Sequence, residues 1–176
     1  IVKQREHSTM NGTQNPAIES GSDKALNSLF PLPLSPFEQY MVADDSNAYP
    51  MSFVLIITLR GNLDRAVFEQ AVTFALHRHP LLMSRIGKVR GRGLCWIPES
   101  QPVVPINWQT GDNSIQPPSQ ERIDLYQEIG IRIWVNWSEA SSELVVQFHH
   151  ACTDGLGGVQ FIGDLLAYYG QKTAPE

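Results

Sequence analysis

Seven residues near the end of the chain, His149-His150-Ala151-Cys152-Thr153-Asp154-Gly155, gather two imidazoles, a thiol and a carboxylate in one short stretch. With this composition, an HHxxxDG pattern arises by chance in roughly one sequence in a couple of thousand, which makes it specific for its length. It follows the apolar run Leu144-Val145-Val146-Gln147-Phe148 and precedes Gly155-Leu156-Gly157-Gly158, so it sits where a strand ends and a helix begins. Successive strand side chains point to opposite faces, so His149 and His150 cannot enter one cleft together from a regular strand. One is left for chemistry; the other packs beneath or bonds to the backbone. An imidazole titrates near neutral pH, and one facing a cleft suits general-base work on a hydroxyl or amine attacking a carbonyl. Asp154 can fold back under the strand end and fix the loop, while Gly155 gives room for a sharp turn and a close approach.

Blander readings compete for the same residues. A pair of histidines ending a core strand needs no chemistry, although the full motif and its context weigh against that. A zinc site from His149, His150, Cys152 and Asp154 is disfavoured, because the histidines diverge and neither cysteine-pair nor HExxH spacing is present. Cys152 reads better as a small buried residue than as a thiol nucleophile. Arg85, Lys88, Arg90 and Arg92 could meet the phosphates of a ligand, but a solvated hairpin tip is the better reading. Trp134 and Trp137 suit sheet packing. His77 and His79 lie near a helix end where a cation suits the dipole, and no function is assigned to them.

The elements that must position the motif are legible in outline. Residues 1–28 are polar and lack any apolar period, which predicts a flexible tail ahead of a folded unit at 29–176. The chain opens on Ile1, leaving Met10, an upstream start or a processed end as alternatives. Three prolines from Pro31 to Pro36 predict an extended lead-in, then a short helix capped by Ser35 with Pro36 first and Glu38 completing a capping box. Ser52 to Gly61 is β-branched and apolar on both faces, which predicts a buried strand. An amphipathic helix follows, with Asn62 as its cap, Asp64 at its positive end, and Leu63, Val67, Ala71, Phe74 and Ala75 on one face. Pro80 ends it.

Leu81 to Ile86 leads into a strand, Lys88 to Gly93 forms a hairpin tip and Leu94 to Ile97 returns. Residues 98–128 hold five prolines, predicting a long irregular connection with a short helix near its end. Ile131, Ile133, Val135 and Trp137 alternate with Arg132, Trp134 and Asn136, so a strand precedes the motif-bearing strand in a hairpin. After the motif, a helix presents Val159, Ile162, Leu166 and Tyr169 and is capped by Gly170. The fold class is α+β: a largely antiparallel sheet with helices packed on it.

Composition removes several function classes. The chain has 176 residues, 42% hydrophobic and 18% charged, and a length that suits one domain with its own core. A net charge of −5 with 13 Lys+Arg argues against nucleic acid and against a polybasic membrane surface. The longest apolar run, Phe53 to Leu59, is too short to span a bilayer, so no transmembrane segment is expected. Two cysteines are too few for a disulfide framework and fit a reducing compartment, so a cytoplasmic location is expected.

The motif in this setting resembles the HHxxxDG signature of the chloramphenicol-acetyltransferase-like superfamily. That group takes in condensation domains of nonribosomal peptide synthetases, polyketide-associated acyltransferases, plant-type acyltransferases and wax ester/diacylglycerol synthases. LSPFEQY, then a strand, then LDRAVFEQAVTFALHRHPLLMSRI, follow in the order of the N-terminal half of such proteins, and the likeness runs over about residues 30–170. DDSNAYPMSF is loosely similar to wax ester synthase beginnings, which tilts the acceptor toward alcohols.

The resemblance implies one subdomain of that fold and an acyltransferase in which His150 is the general base and His149 the buried support. It implies that Asp154 pairs with an arginine to hold the loop, and that Gly155 keeps the entrance open. It further implies an acyl-CoA or phosphopantetheinyl thioester as co-substrate rather than a tightly bound cofactor, an alcohol or amine acceptor, and no metal. The DFGWG-like motif of the second half is absent. The chain is therefore a fragment or a half-length relative, and a second subdomain or partner chain would complete the site. The same fold could alternatively serve as a non-catalytic binding or assembly module, or be a piece of a synthetase condensation domain. Alone, the chain is expected to be inactive, because His150 would lack walls that position substrates and exclude water.

Overall fold

A computed structural model describes residues 28–100, 102–111, 115 and 121–174. The expected tail therefore lies outside the described residues up to position 27. Ten elements follow in the order β1 (Leu32–Pro33), α1 (Pro36–Asp44), β2 (Ser52–Arg60), α2 (Arg65–Arg78), β3 (Ser84–Val89), β4 (Gly93–Pro98), β5 (Ile106–Thr110), β6 (Ile131–Trp137), β7 (Ser141–His149) and α3 (Gly155–Thr173). The mixed class stands, with helices on a largely antiparallel sheet.

The strands divide into two sheets. The main one has the order β2-β7-β6-β5, with β7 antiparallel to both neighbours and β5 parallel to β6. The β3–β4 hairpin instead joins the lead-in strand in a sheet ordered β1-β4-β3. Proline has no N–H to give a ladder, and Pro33 sits on the edge strand of that sheet, opposite Cys95. The lead-in then enters α1 through the expected capping box. Ser35 N–H donates to Glu38 Oε2 at 2.5 Å, and Glu38 N–H to Ser35 Oγ at 3.3 Å.

Both long helices pack on one face of the main sheet. Phe68, Ala71, Val72, Ala75 and Leu76 of α2 are buried, as are Phe161, Ile162 and Leu165 of α3. They meet Ile131, Ile133, Val135, Leu144, Val146 and Phe148 from the sheet in one core. The helices are tied to each other by Asp164, which lies 3.0 Å from both Arg78 Nε and His79 Nε2. Burial alone would raise the Asp164 carboxyl, but those two donors outweigh it and hold it below its ordinary range.

Several expectations are corrected. The stripe of α2 is rotated from the expected one: Phe74 is 41% exposed, stacked on Tyr168, while Phe68 and Val72 point inward. The observed 68-71-72-75-76 spacing is itself a clean helical stripe, and the core chose between two legible faces. The N-cap is Asp64 and not Asn62, its Oδ1 accepting from Val67 N–H at 3.0 Å. On α3, Val159 is 57% exposed, and the helix runs through Gly170 to Thr173. β2 is an edge strand with Ile56 56% exposed, and none of its residues is fully buried, so the expected buried strand is half-buried. The 98–128 connection contains the strand β5. Near its end it makes a single turn, in which the N–H groups of Gln127 and Glu128 both donate to Asp124 O, and not a helix.

The rotated stripe predicts that Phe68→Ala destabilises the chain by about 3–5 kcal/mol. Phe74→Ala should cost only about 1 kcal/mol, the scale of an exposed aromatic pair. Urea unfolding midpoints measure both, and the reverse ranking would contradict the packing described.

Candidate active site

The motif emerges from β7, an inner strand of the main sheet, paired with β2 on one side and β6 on the other. Register places Phe148 opposite Phe53 of β2 and Ile131 of β6, and His149 opposite Ser52. Phe148 packs edge-on against Phe161 at 5.8 Å, so it faces the helices. His149, one residue on, must face the other way. It is 1% exposed. Its N–H donates to Gly130 O at 3.0 Å, and its Nδ1 accepts the Ala151 N–H at 3.1 Å. That second bond assigns the ring proton to Nε2, which faces Asp45 Oδ2 at 3.5 Å. Burial pushes the His149 ring below its ordinary range and outweighs the opposite pull of Asp45. Arg122 and His150 add to the downward push.

His150 lies past the strand end and turns to the helix side. Its N–H donates to Met51 O at 2.8 Å, which ties it to the start of β2. Its half-buried ring leans on Phe53, with centroids 4.7 Å apart and planes tilted by 43°. Among the described residues, neither ring nitrogen of His150 has a hydrogen-bond partner. The two imidazoles thus diverge, one buried in the sheet and one half-buried at its end.

Asp154 takes a place other than the expected one, and the close approach expected at Gly155 is not seen. Asp154 is exposed and is the N-cap of α3: its Oδ1 accepts from Gly157 N–H at 2.8 Å. Among the described residues no arginine pairs with it. The carboxylate that an arginine does hold here is Asp45, whose Oδ2 lies 2.5 Å from Arg122 Nε and whose side chain is 3% exposed. Gly155 begins α3, and a Cβ there would meet nothing within 4 Å, so no close approach among the described residues requires glycine at 155. The close approaches fall elsewhere. A Cβ on Gly130 would lie 2.2 Å from Cys152 Sγ, and one on Gly158 would lie 3.1 Å from Phe53.

Asp45 and Arg122 went unread in the sequence because they lie 77 residues apart in loop segments. Their one sequence signal is the Asp44-Asp45 pair, which closes the short helix ahead of β2. Cys152 is buried, and that burial, with the nearby Glu38 carboxylate, pushes its thiol well up, so it does not supply a thiolate. Among the described residues no group of three His, Cys, Asp or Glu side chains could hold a metal ion. No described helix is long and apolar enough to cross a membrane. Of the basic hairpin, Arg85 pairs with Glu99 and Arg92 donates to Pro31 O, leaving Lys88 and Arg90 exposed near the tip. A shallow groove of about 620 Å³ between α2 and α3 is lined by Glu69, Thr73, Phe74 and Tyr168, away from the motif.

Comparison with solved structures places this arrangement in a known fold. The chain superposes on the starter condensation domain of rhizomide synthetase RzmA with a TM-score of 0.68 and 16% identity, covering 79% of this chain and 37% of that one. For the X-domain from teicoplanin biosynthesis, solved in complex with OxyB, the TM-score is 0.71 and the identity 18%, over 96% and 37%. For the epimerization domain of the third module of tyrocidine synthetase B the values are 0.64 and 15%, over 79% and 34%. No family model and no curated protein matches the sequence. The fold is therefore that of one subdomain of the condensation-domain, chloramphenicol-acetyltransferase-like architecture. The chain spans little more than a third of the length of those structures.

Two outcomes follow from this packing. Gly130→Ala should destabilise the chain by about 1–3 kcal/mol through overpacking, and Cys152→Ala should relieve part of that loss. A histidine whose folded titration lies below its ordinary 6.5 favours the neutral form, so its contribution to stability is complete above that pH and is lost as pH falls below it. Denaturant titrations at pH values from about 5 to 8 should show that slope in the native chain, flattened in His149→Gln. An unchanged slope would place the acid sensitivity elsewhere.

Proposed function

We propose that this chain is the catalytic-histidine lobe of a condensation-type acyltransferase, with residues 29–176 forming its N-terminal subdomain. One observation supports this above the others: of two adjacent imidazoles, His149 is buried and His150 is only half-buried, with its ring nitrogens unengaged among the described residues. An acceptor hydroxyl or amine would lose its proton to His150 as its lone pair attacks the carbonyl carbon of an acyl thioester. The tetrahedral intermediate then collapses, the carbon–sulfur bond breaks, and the proton held by His150 passes to the departing thiolate. An ester or amide and a free thiol result, and no acyl group is attached to the protein.

The thioester is carried by coenzyme A or a phosphopantetheinyl arm, in a cytoplasmic setting. Asp154 acts by capping α3, and so holding the loop, without transferring protons; Gly155 contributes the open mouth of the site. Open surface around His150 supports completion of the site by a second subdomain or a partner chain, since general-base work needs held substrates and excluded water. A second reading, an assembly module of the same fold, draws on the X-domain solved with OxyB.

The test is acyl transfer by the complete protein containing this chain, with acyl-CoA and carrier-bound thioesters against a panel of alcohols and amines. His150→Ala should lower turnover about a hundredfold or more, while the isolated chain should show none. Turnover equal to wild type in that variant would remove His150 from the mechanism. No turnover in any pairing, with a protein captured instead, would favour the assembly module.

A further inference from the structure

Asp45 has a buried carboxylate with both of its oxygens engaged. Oδ1 accepts the Met51 N–H at 2.8 Å. Oδ2 takes Arg122 Nε at 2.5 Å and faces His149 Nε2 at 3.5 Å. A pair that only stapled two loops would need the arginine contact and nothing more. The other two contacts both lead to His150. Met51 is the residue whose carbonyl receives the His150 N–H at 2.8 Å. His149 is the residue whose Nδ1 receives the Ala151 N–H at 3.1 Å, on the far side of His150. The main chain that carries His150 is thus gripped before and after it, and Asp45 stands behind both grips.

We infer that Asp45 and Arg122 are positioning residues for His150, acting through the Met51 main chain and through the fixed ring of His149. This rests on His150 being the general base. The division of labour follows from charge. Asp45 aligns the Nε2–H of His149, which leaves Nδ1 bare to accept Ala151. A lone buried carboxylate would also draw a second proton onto His149, and that proton would sit on Nδ1 and break the Ala151 bond. Arg122 opposes this by neutralising Asp45. The charged or titratable groups acting on His149 are Asp45, Arg122 and His150, and of these only Asp45 favours proton uptake. Arg122 thereby keeps the turn intact without touching it.

Histidine-ring ¹⁵N and backbone amide NMR on the full chain tests the pair independently of any activity. In the native chain His149 should carry its proton on Nε2 and none on Nδ1 at pH about 6–8. Arg122→Gln should raise the pH at which the ring gains its second proton and move the His150 amide resonance with it. Arg122→Lys, which keeps the charge, should restore both toward the native values, and Asp45→Asn should move the His150 amide.

A native proton on Nδ1 would overturn the inference, and that measurement needs no variant. So would an unmoved His150 amide in folded Arg122→Gln and Asp45→Asn. In the complete protein, Arg122→Gln should lower kcat about tenfold or more with KM little changed, and lower it no further in a His150→Ala background. An additional loss there would mark a merely structural pair. Absence of acyl transfer in the native protein would instead defeat the proposed function, leaving the NMR result to decide the pair.

Discussion

The pairing of β7 on both of its edges is what the rest of the site depends on. Hydrogen bonds to β2 and β6 leave that strand no freedom to rotate, so its side chains alternate strictly between the helix side and the reverse side. Leu144, Val146 and Phe148 go to the core, and His149 is forced the other way. The chain leaves the ladder one residue later, which lets His150 turn back over Phe53. Two identical side chains thus receive opposite environments from one residue of strand. Burial separates them: it favours the neutral ring at His149, while His150 stays half-buried.

That strand is itself held by the core around it. The helices cover the sheet face carrying Phe148, and Asp164 joins them at the point where α2 ends and α3 has made about two and a half turns. On the reverse face the cover is loop, and Asp45 with Arg122 supplies the buried charge there. Removing Arg122, itself 30% exposed, would leave the 3% exposed Asp45 carboxylate uncompensated in a dry place, which costs far more than the pair contributes. The same economy explains Gly130, whose carbonyl receives the His149 N–H and whose missing side chain admits Cys152. The motif loop is fitted from the back of the sheet outward.

Similarity to condensation, epimerization and X-domains fixes the architecture, not the reaction. Those structures share one fold yet carry different descriptions, and function resides in the site. The chain accounts for little more than a third of each. Leu156 and Val159 are exposed on the first turns of α3, a few residues after the half-buried His150, and leave apolar surface at that end of the helix.

Local chemistry was legible from the residues: the Ser35–Glu38 capping box, the alternation of β6, the motif at a strand end and the divergence of its histidines all depend on neighbours a few positions apart. The rotated stripe of α2 was not, because Val67-Ala71-Phe74 and Phe68-Ala71-Val72 are both valid helical faces and only the opposing sheet selects one. Nor was β5, a five-residue strand in a proline-rich stretch that is stabilised by parallel pairing with β6 and not by its own pattern. Asp154 shows the limit most plainly. Its sequence neighbours make it a helix cap, and pairing with arginine fell to Asp45, which reaches Arg122 across 77 residues. Sequence alone thus determined what each segment prefers and which imidazoles must part company. Which distant charge supports which imidazole was decided by tertiary structure, because ion pairs between loops are set by where the folded sheet and its covering loops bring those loops, and no periodicity records that.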